Sequence, residues 1–219
     1  MRQQRWFVVG NAGDLSLADV EQLRCHDSVR VCACDGAFDT LREAGLHCDV
    51  LIGDFDSVSS EALHAYRSLP RGHCVDATDQ SKTDLEKAII YIDRLQPLSI
   101  DLINVMGGRM DHSFYNARLL KRYRNPLRQL RLHDGDQWIM YTEDESIHLK
   151  GVAGTTVALL SFPRARVSSQ GLQYELTDHV MSLDAGGDSV CNQLLQTSAT
   201  IVISGGCLVV ADKQVVLYR

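Results

Sequence analysis

The sequence predicts an α/β protein with a mainly parallel sheet in an N-terminal domain and an antiparallel β-sandwich in a C-terminal domain. In the first part of the chain, short apolar, β-branched runs alternate with longer segments of helical periodicity, as in βαβ units. After Pro126 helical periodicity is hard to find, and short strand-like runs punctuated by Gly, Asp and Pro follow one another. We therefore expect domains at residues 1–128 and 129–219, the second being close in size to common small β domains.

Each element of the N-terminal domain has its own signal. The strand-like runs are RWFVVG, VRVCAC, CDVLIG, HCV and DLINVM. In TDLEKAIIYIDRL, apolar residues at i, i+3, i+4 and i+7 predict a helix, and Thr83 with Glu86 forms a capping-box pattern at its start. A second helix is expected in DHSFYNARLLKRY, with Asp111 or a neighbour as N-cap. This alternation indicates a Rossmann-like domain.

Charge and composition exclude several classes of function. The formal net charge is −6, whereas a protein that binds the nucleic-acid backbone needs a basic face, so we expect no nucleic-acid partner. No apolar run reaches the length of a membrane span, and the apolar patch near the N-terminus is too short for a signal peptide. A cytoplasmic protein without a membrane partner is therefore expected. The seven cysteines lack CxxC spacing, which favours free thiols over a zinc site.

Polar residues directly follow each predicted strand of the N-terminal domain. They are Asn11; Asp35 and Gly36; Asp54 and Asp56; Asp76, Asp79, Lys82 and Asp84; and Arg109, Asp111 and His112. Because the carboxyl ends of parallel strands share one edge of a sheet, where open α/β sheets bind ligands, these residues should converge. Taken singly, most have a simpler role, with Asp35-Gly36 as a turn and Thr83 and Asp111 as helix caps. Five such loops on one edge, with an excess of acids, favour a binding site over capping alone.

A gathering of acids needs a cation. Two carboxylates about 4 Å apart repel by roughly 4 kcal/mol at an effective dielectric of about 20. Oxygen ligands without a nearby His or Cys set suit a hard cation, and Mg²⁺ fits best. Mg²⁺ normally brings phosphates with it, and the cations of Lys82 and Arg109 could meet them. Gly107-Gly108 lets backbone amides approach an anion closely at the start of a helix.

The segments GDFDS, DQSKTD and GGRMDH, in this order and spacing, resemble the thiamine pyrophosphokinase family. GLQYEL at 171–176 and GDSVCN at 187–192 resemble the thiamine-site segment of that family, so the resemblance covers nearly the whole chain. It implies an α/β nucleotide-binding catalytic domain followed by a thiamine-binding β-sandwich. It also implies transfer of pyrophosphate from ATP to the hydroxyl of thiamine, giving thiamine diphosphate and AMP, with Mg²⁺ as cofactor. Members of the family act as homodimers, with the active site between the α/β domain of one subunit and the β domain of the other.

Positions that match the motifs of the family carry expected roles. By resemblance, the catalytic residues are Asp54, Asp56, Lys82, Asp84 and Arg109, and the metal ligands are Asp54, Asp56 and Asp84. The expected nucleotide-binding residues are Asp35, Gly36, Asp79, Gln80, Lys82, Gly108, Arg109 and Asp111, and the expected thiamine-binding residues are Ser189 and Asn192. The chain departs from the family pattern at Ala37, where a second glycine is usual, and at Cys191, where a serine is usual. Trp138 could stack on the substrate, but we expect it to be buried in the sandwich.

Three alternatives share the pattern of the N-terminal domain. A pyrophosphokinase for another alcohol, such as a pterin, would have the same first domain, and only the second domain favours thiamine. A Mg²⁺-dependent phosphohydrolase would use water in place of the alcohol. A non-catalytic nucleotide- or thiamine-binding module would be expected to lose some of the acids, whereas here the set is complete.

Overall fold

The computed structural model describes residues 4–24, 29–69 and 72–219. The chain divides into two compact units, Met1–Gly135 and Asp136–Arg219. The strands of the first unit are β1 (Arg5–Val9), β2 (Val29–Cys34), β3 (Val50–Gly53), β4 (His73–Asp76), β5 (Ser99–Ile103) and β6 (Gln129–Asp134). Its helices are α1 (Leu17–Arg24), α2 (Ala37–Glu43), α3 (Ser60–Arg67), α4 (Asp84–Asp93) and α5 (Met110–Arg122). The prediction of an α/β protein is confirmed.

The strands of the first unit form a parallel sheet. Their order is β4-β3-β2-β1-β5-β6, and each adjacent pair is parallel. β3 and β5 are buried along their whole length, as expected where helices cover both faces of a parallel sheet. The chain runs outward from β1 to β4 and then returns to place β5 on the other side of β1. This reversal opens a crevice at the carboxyl ends of β1 and β5, which is where open α/β sheets bind ligands.

Helix α4 begins as the sequence predicts. Thr83 is its N-cap, and the Thr83 hydroxyl oxygen accepts a hydrogen bond from the backbone N–H of Glu86 at 3.3 Å. The capping box is not completed, because the Glu86 carboxylate instead accepts hydrogen bonds from the hydroxyls of Tyr115 and Tyr123. The Glu86 carboxylate therefore links α4 to α5 instead of capping the start of α4.

Helix α5 starts at Met110, with Arg109 as the N-cap residue and no side-chain cap bond. Asp111 lies in the first turn, where its negative charge interacts favourably with the helix dipole. Asn116 on the same helix is buried, and its amide donates a hydrogen bond to the carbonyl of Val105 at 2.8 Å. This bond fixes the loop that follows β5 against α5.

The second unit is built from antiparallel strands. They are β7 (Gln137–Lys150), β8 (Thr156–Gln170), β9 (His179–Ser182), β10 (Ser189–Gln193), β11 (Ser198–Asp212) and β12 (Val216–Tyr218). Their order is β10-β8-β11-β7, with β9 paired to β8 and β12 paired to β7. Alternate residues of the long strands, such as Trp138, Leu159 and Ile201, point into one apolar core. The burial expected for Trp138 is confirmed.

β6 pairs in parallel with β5 and belongs to the first unit. The boundary expected from the sequence at residues 128/129 would assign this strand to the second domain. Its alternating sequence, QLRLHD, looks like the strands that follow it, because alternation records which face is buried and not which strand is the partner. Pairing with β5 is a contact distant in sequence that periodicity cannot reveal.

The described cysteines are free thiols. They are Cys32, Cys34, Cys48, Cys74, Cys191 and Cys207. Cys32 and Cys34 are buried in β2. In residues 4–24, 29–69 and 72–219, no helix combines the length and the apolarity that a membrane crossing requires.

Candidate active site

A cavity of about 360 Å³ lies at the carboxyl edge of the parallel sheet in the first unit. Its walls come from the loops after β1, β2 and β5 and from the starts of α4 and α5. The predicted site residues that line it are Asp35, Gly36, Asp84, Gly108 and Arg109. The crevice created by the reversal of strand order is therefore the place where the polar loops meet.

Two glycines let these loops pack closely. A Cβ at Gly36 would lie 2.6 Å from the side-chain nitrogen of Asn11, and a Cβ at Gly108 would lie 2.9 Å from the carbonyl oxygen of Ala12. The loop after β1 thus touches both the loop after β2 and the start of α5. Ala37, which stands where the resemblance leads us to expect a second glycine, is the buried first residue of α2.

Asp35 is a buried acid at the end of β2. Its φ is +42°, in the left-handed region that few residues with side chains adopt, and only 7% of its surface is exposed. Oδ2 accepts a hydrogen bond from the backbone N–H of Ser57 at 3.3 Å, whereas Oδ1 is buried with no partner among the described residues. Burial raises the pKa of the Asp35 carboxyl, and the charges of Asp84 and Asp56 add to this effect. A buried carboxylate oxygen without a hydrogen-bond partner favours a cation as its partner.

The carboxylates of Asp35, Asp54 and Asp56 come together. One oxygen from each lies within 4.8 Å of the other two. In Asp54, Oδ1 accepts a hydrogen bond from the backbone N–H of Asp56 at 3.4 Å, and Oδ2 accepts one from Nε2 of Gln80 at 3.0 Å. The Gln80 bond is the main reason that the pKa of Asp54 lies below its ordinary value. Three negatively charged carboxylates with oxygens this close together fit a hard divalent cation such as Mg²⁺. We call these three residues the acidic cluster.

Asp84, the third metal ligand expected from the resemblance, is not one of these three. It lines the same cavity from the start of α4, and its Oδ1 accepts a hydrogen bond from Nζ of Lys87 at 2.9 Å. The resemblance predicts a nucleotide-binding role for Asp35, and the structure places its carboxylate beside those of Asp54 and Asp56. The sequence predicts no role for Lys87. The only available signal was a lysine three residues after an acid on a predicted helix.

The predicted phosphate-binding cations are paired within their own loops. Lys82 donates a hydrogen bond to the Asp79 carboxylate, and Arg109 donates to the two carboxylate oxygens of Asp111 at 3.1 and 2.5 Å. The hydrogen bond from Lys82 is the main reason that the pKa of Asp79 lies well below its ordinary value, and Arg109 acts in the same way on Asp111. Both Arg109 and Asp111 are exposed, and exposed ion pairs add little to stability. Arg109 can therefore exchange its carboxylate partner for a phosphate at low cost.

In the second unit, Asn192 is buried and makes hydrogen bonds through both ends of its amide. The amide nitrogen donates to the carbonyl of Tyr174 at 2.8 Å and to Oγ of Ser189 at 3.1 Å, and the amide oxygen accepts from the N–H of Tyr174 at 3.0 Å. Asn192 thereby ties β10 to the GLQYEL segment at 171–176. The two expected thiamine-binding residues, Ser189 and Asn192, lie beside this segment, and Cys191 between them is exposed.

Two family models match the chain. The first, described as "Thiamin pyrophosphokinase, catalytic domain", matches residues 20–132, which is just over half of the sequence. The chain belongs to the thiamin pyrophosphokinase family. A second model, "Thiamin pyrophosphokinase, vitamin B1 binding domain", matches residues 144–208. The catalytic match spans the acidic cluster and most of the cavity, and the vitamin B1 match spans Ser189 and Asn192.

Individual relatives carry the same family name. Thiamine pyrophosphokinase 1 of Arabidopsis thaliana is 31% identical over 145 residues, which is 61% of this chain and 54% of that protein. Thiamine pyrophosphokinase of Bacillus subtilis is 27% identical over 176 residues, which is 78% of this chain and 80% of that protein. The chain spans about half the length of the plant relatives it matches.

Solved structures of thiamine pyrophosphokinases share the fold. The crystal structure from Bacillus subtilis has a TM-score of 0.83 at 19% identity, with 95% of this chain and 99% of that chain covered. The structure from Candida albicans has a TM-score of 0.81 at 16% identity, with 96% and 89% covered.

Proposed function

We propose that this chain is a Mg²⁺-dependent thiamine pyrophosphokinase that converts ATP and thiamine to AMP and thiamine diphosphate. The observation that carries the proposal is the meeting of Asp35, Asp54 and Asp56 beside a cavity at the carboxyl edge of the sheet. Membership of the thiamin pyrophosphokinase family supports the choice of reaction.

The acidic cluster would hold the metal. Asp54 and Asp56 keep their expected role as ligands, Asp35 adds a third oxygen, and Asp84 faces the same cavity. A bound Mg²⁺ offsets the charge on the phosphate oxygens of ATP. Because a carboxylate that binds a metal is a poor base, and a loose transition state asks little of a base, these acids are not assigned to proton transfer. Positioning of the two substrates by the protein accounts for most of the rate acceleration.

In the reaction, the oxygen of the thiamine hydroxyl attacks the β-phosphorus of ATP. The bond from this phosphorus to the oxygen shared with the α-phosphorus breaks, AMP leaves with the electron pair, and the hydroxyl proton passes to solvent. Lys82 and Arg109 exchange their carboxylate partners for phosphate oxygens. The remaining nucleotide contacts are assigned to Asp35, Gly36, Asp79, Gln80, Gly108 and Asp111.

Thiamine is assigned to the second unit, taken as a β-sandwich, at Ser189 and Asn192. Since the Asn192 amide is already bonded to Tyr174 at both ends, Asn192 also shapes the site by holding the GLQYEL segment. We further propose a homodimer in which the first unit of one subunit and the second unit of its partner form each active site. The free thiols are compatible with a reducing compartment such as the cytoplasm.

Product analysis tests the proposal. The protein is incubated with ATP, Mg²⁺ and thiamine, and the products are identified by mass spectrometry. We expect thiamine diphosphate and AMP in equal amounts, and neither product when thiamine is omitted. Release of phosphate or pyrophosphate without an acceptor would show a phosphohydrolase, and a product from a pterin alone would show a different alcohol specificity. Calorimetric binding without turnover would show a non-catalytic module. Each of these three results overturns the proposal.

A further inference from the structure

We propose that Lys87 is a positioning residue that holds the Asp84 carboxylate toward the cavity as an additional ligand for the metal. The inference rests on the proposed function, because it assumes that the acidic cluster binds a divalent cation. Lys87 lies on α4, one turn after Asp84.

Lys87 is a buried lysine that pairs with the carboxylate of Asp84. Its side chain is 8% exposed, and its Nζ donates a hydrogen bond to Oδ1 of Asp84 at 2.9 Å. In the part of the chain that the structure describes, the Lys87 ammonium makes no other hydrogen bond. Moving a charge out of water is unfavourable unless the charge is paired, so this pair does not separate as an exposed ion pair does. The bond therefore fixes the direction of the Asp84 carboxylate.

The pair acts on the acidic cluster. Asp84 and Asp35 line the same cavity, and Oδ2 of Asp84 is not hydrogen-bonded to any described residue. The pKa of Asp54 is lowered mainly by the hydrogen bond from Gln80. The charge of Lys87 lowers it further, to a lesser degree. One oxygen of Asp84 thus faces its buried lysine, and the other remains available to a cation near Asp35.

This arrangement is that of a metal ligand oriented by an outer partner. Such partners fix the direction and the basicity of the ligand, and their removal typically costs roughly 10–100-fold in metal affinity. A second effect has the opposite sign, since removing the positive charge of Lys87 also removes its repulsion of the metal. The direction in which the metal affinity changes therefore separates positioning from simple charge.

The test is a titration of the full chain with Mn²⁺ alone, followed through the electron paramagnetic resonance signal of free Mn²⁺. For Lys87→Met, which keeps the apolar stem, we expect the Kd for Mn²⁺ to rise by about tenfold or more. Lys87→Arg keeps the charge and the donors and should restore binding in large part. Lys150→Met removes an exposed positive charge from the second unit and should leave the Kd unchanged.

Two results overturn the inference in distinguishable ways. If the Kd of Lys87→Met is unchanged or lower while the wild-type chain binds Mn²⁺, Lys87 does not position Asp84, and the proposed function stands. If the wild-type chain binds no Mn²⁺, both the inference and the proposed metal site fail. Should Lys87→Met not fold, as judged by thermal unfolding, the same titration is decided by Lys87→Leu, which likewise removes both the donor and the charge. For Lys87→Leu an unchanged or lower Kd overturns the inference, and a higher Kd supports it.

Discussion

The hydroxyls of Tyr115 and Tyr123 hold the buried carboxylate of Glu86, and removal of either should destabilise the first unit by about 1.5–3 kcal/mol. Glu86 is fully buried, both hydroxyl oxygens lie 2.6 Å from its carboxylate, and Arg122 lies 3.3 Å from Oε1. Hydrogen bonds to a charged group are worth about 1.5–3 kcal/mol each. With both hydroxyls replaced, the carboxylate keeps its ion pair with Arg122 but loses both hydrogen bonds, and we expect a loss of about 3–5 kcal/mol, as for a buried charge that loses its partners.

The effect should depend on pH. Burial raises the pKa of Glu86, but the hydrogen bonds from Tyr115 and Tyr123 and the charge of Arg122 outweigh burial, so the folded-state pKa lies below its ordinary value. The stabilisation is therefore complete above the unfolded pKa of about 4.3 and is lost as the pH falls through the lower, folded value. The difference between the wild type and the double variant should be largest near neutral pH and shrink in acid.

The assay is urea unfolding at neutral pH of the wild type, Tyr115→Phe, Tyr123→Phe and the double variant. Tyr218→Phe is the control, because Tyr218 is 48% exposed and its ring, not its hydroxyl, contacts Lys150. We expect this control to change stability by less than about 0.5 kcal/mol. If the double variant also lost less than about 0.5 kcal/mol, the reasoning would be refuted, since the hydroxyls would then not hold Glu86. Glu86 would then not link α4 to α5, which both line the cavity.

Three further predictions concern single residues. Asp56→Asn should unfold at the wild-type temperature but form no AMP from ATP and thiamine, and near-wild-type turnover would refute the metal role. Cys191→Ser should lower the KM for thiamine if a serine hydroxyl contacts substrate there, and an unchanged KM would show that the position is tolerant. Asp101 is fully buried, and although burial raises its pKa, hydrogen bonds at 2.8 Å from His133 and Arg131 hold the pKa well below its usual range. Wild-type stability should therefore fall as the pH drops below the unfolded value of about 3.9. Asp101→Asn should lose about 3–5 kcal/mol at neutral pH and show less of this fall in acid urea titrations, whereas an unchanged acid limb would contradict the assignment.

Local patterns in the sequence predicted much of the first unit. Periodicity placed α4, and Thr83 marks its start in both sequence and structure, because capping depends on residues within one helical turn. The alternation of strands and helices was enough to predict that Asp54 and Asp84 lie at one edge of the sheet, since the carboxyl ends of parallel strands share an edge.

What the sequence missed depends on contacts between distant residues. The carboxylate of Asp35 joins Asp54 and Asp56 because the chain leaves β2 with a positive φ, and an Asp-Gly pair does not reveal this direction. The Glu86 carboxylate does not complete the expected cap and instead binds two tyrosines on or beside α5, 29 and 37 residues later in the chain. The amide of Asn192 donates a hydrogen bond to the backbone carbonyl of Tyr174, a contact that no spacing rule predicts.

The central claim is that one edge of the sheet gathers distant aspartates around a divalent ion. Crystals soaked in Mn²⁺ test it most directly, because anomalous diffraction locates the ion without assumptions about the reaction. We predict a peak between Asp54 and Asp56, with carboxylate oxygens at about 2.0–2.3 Å and with Asp35 close enough to be a ligand. A fully occupied peak elsewhere, or none at this edge at saturating Mn²⁺, would contradict the account.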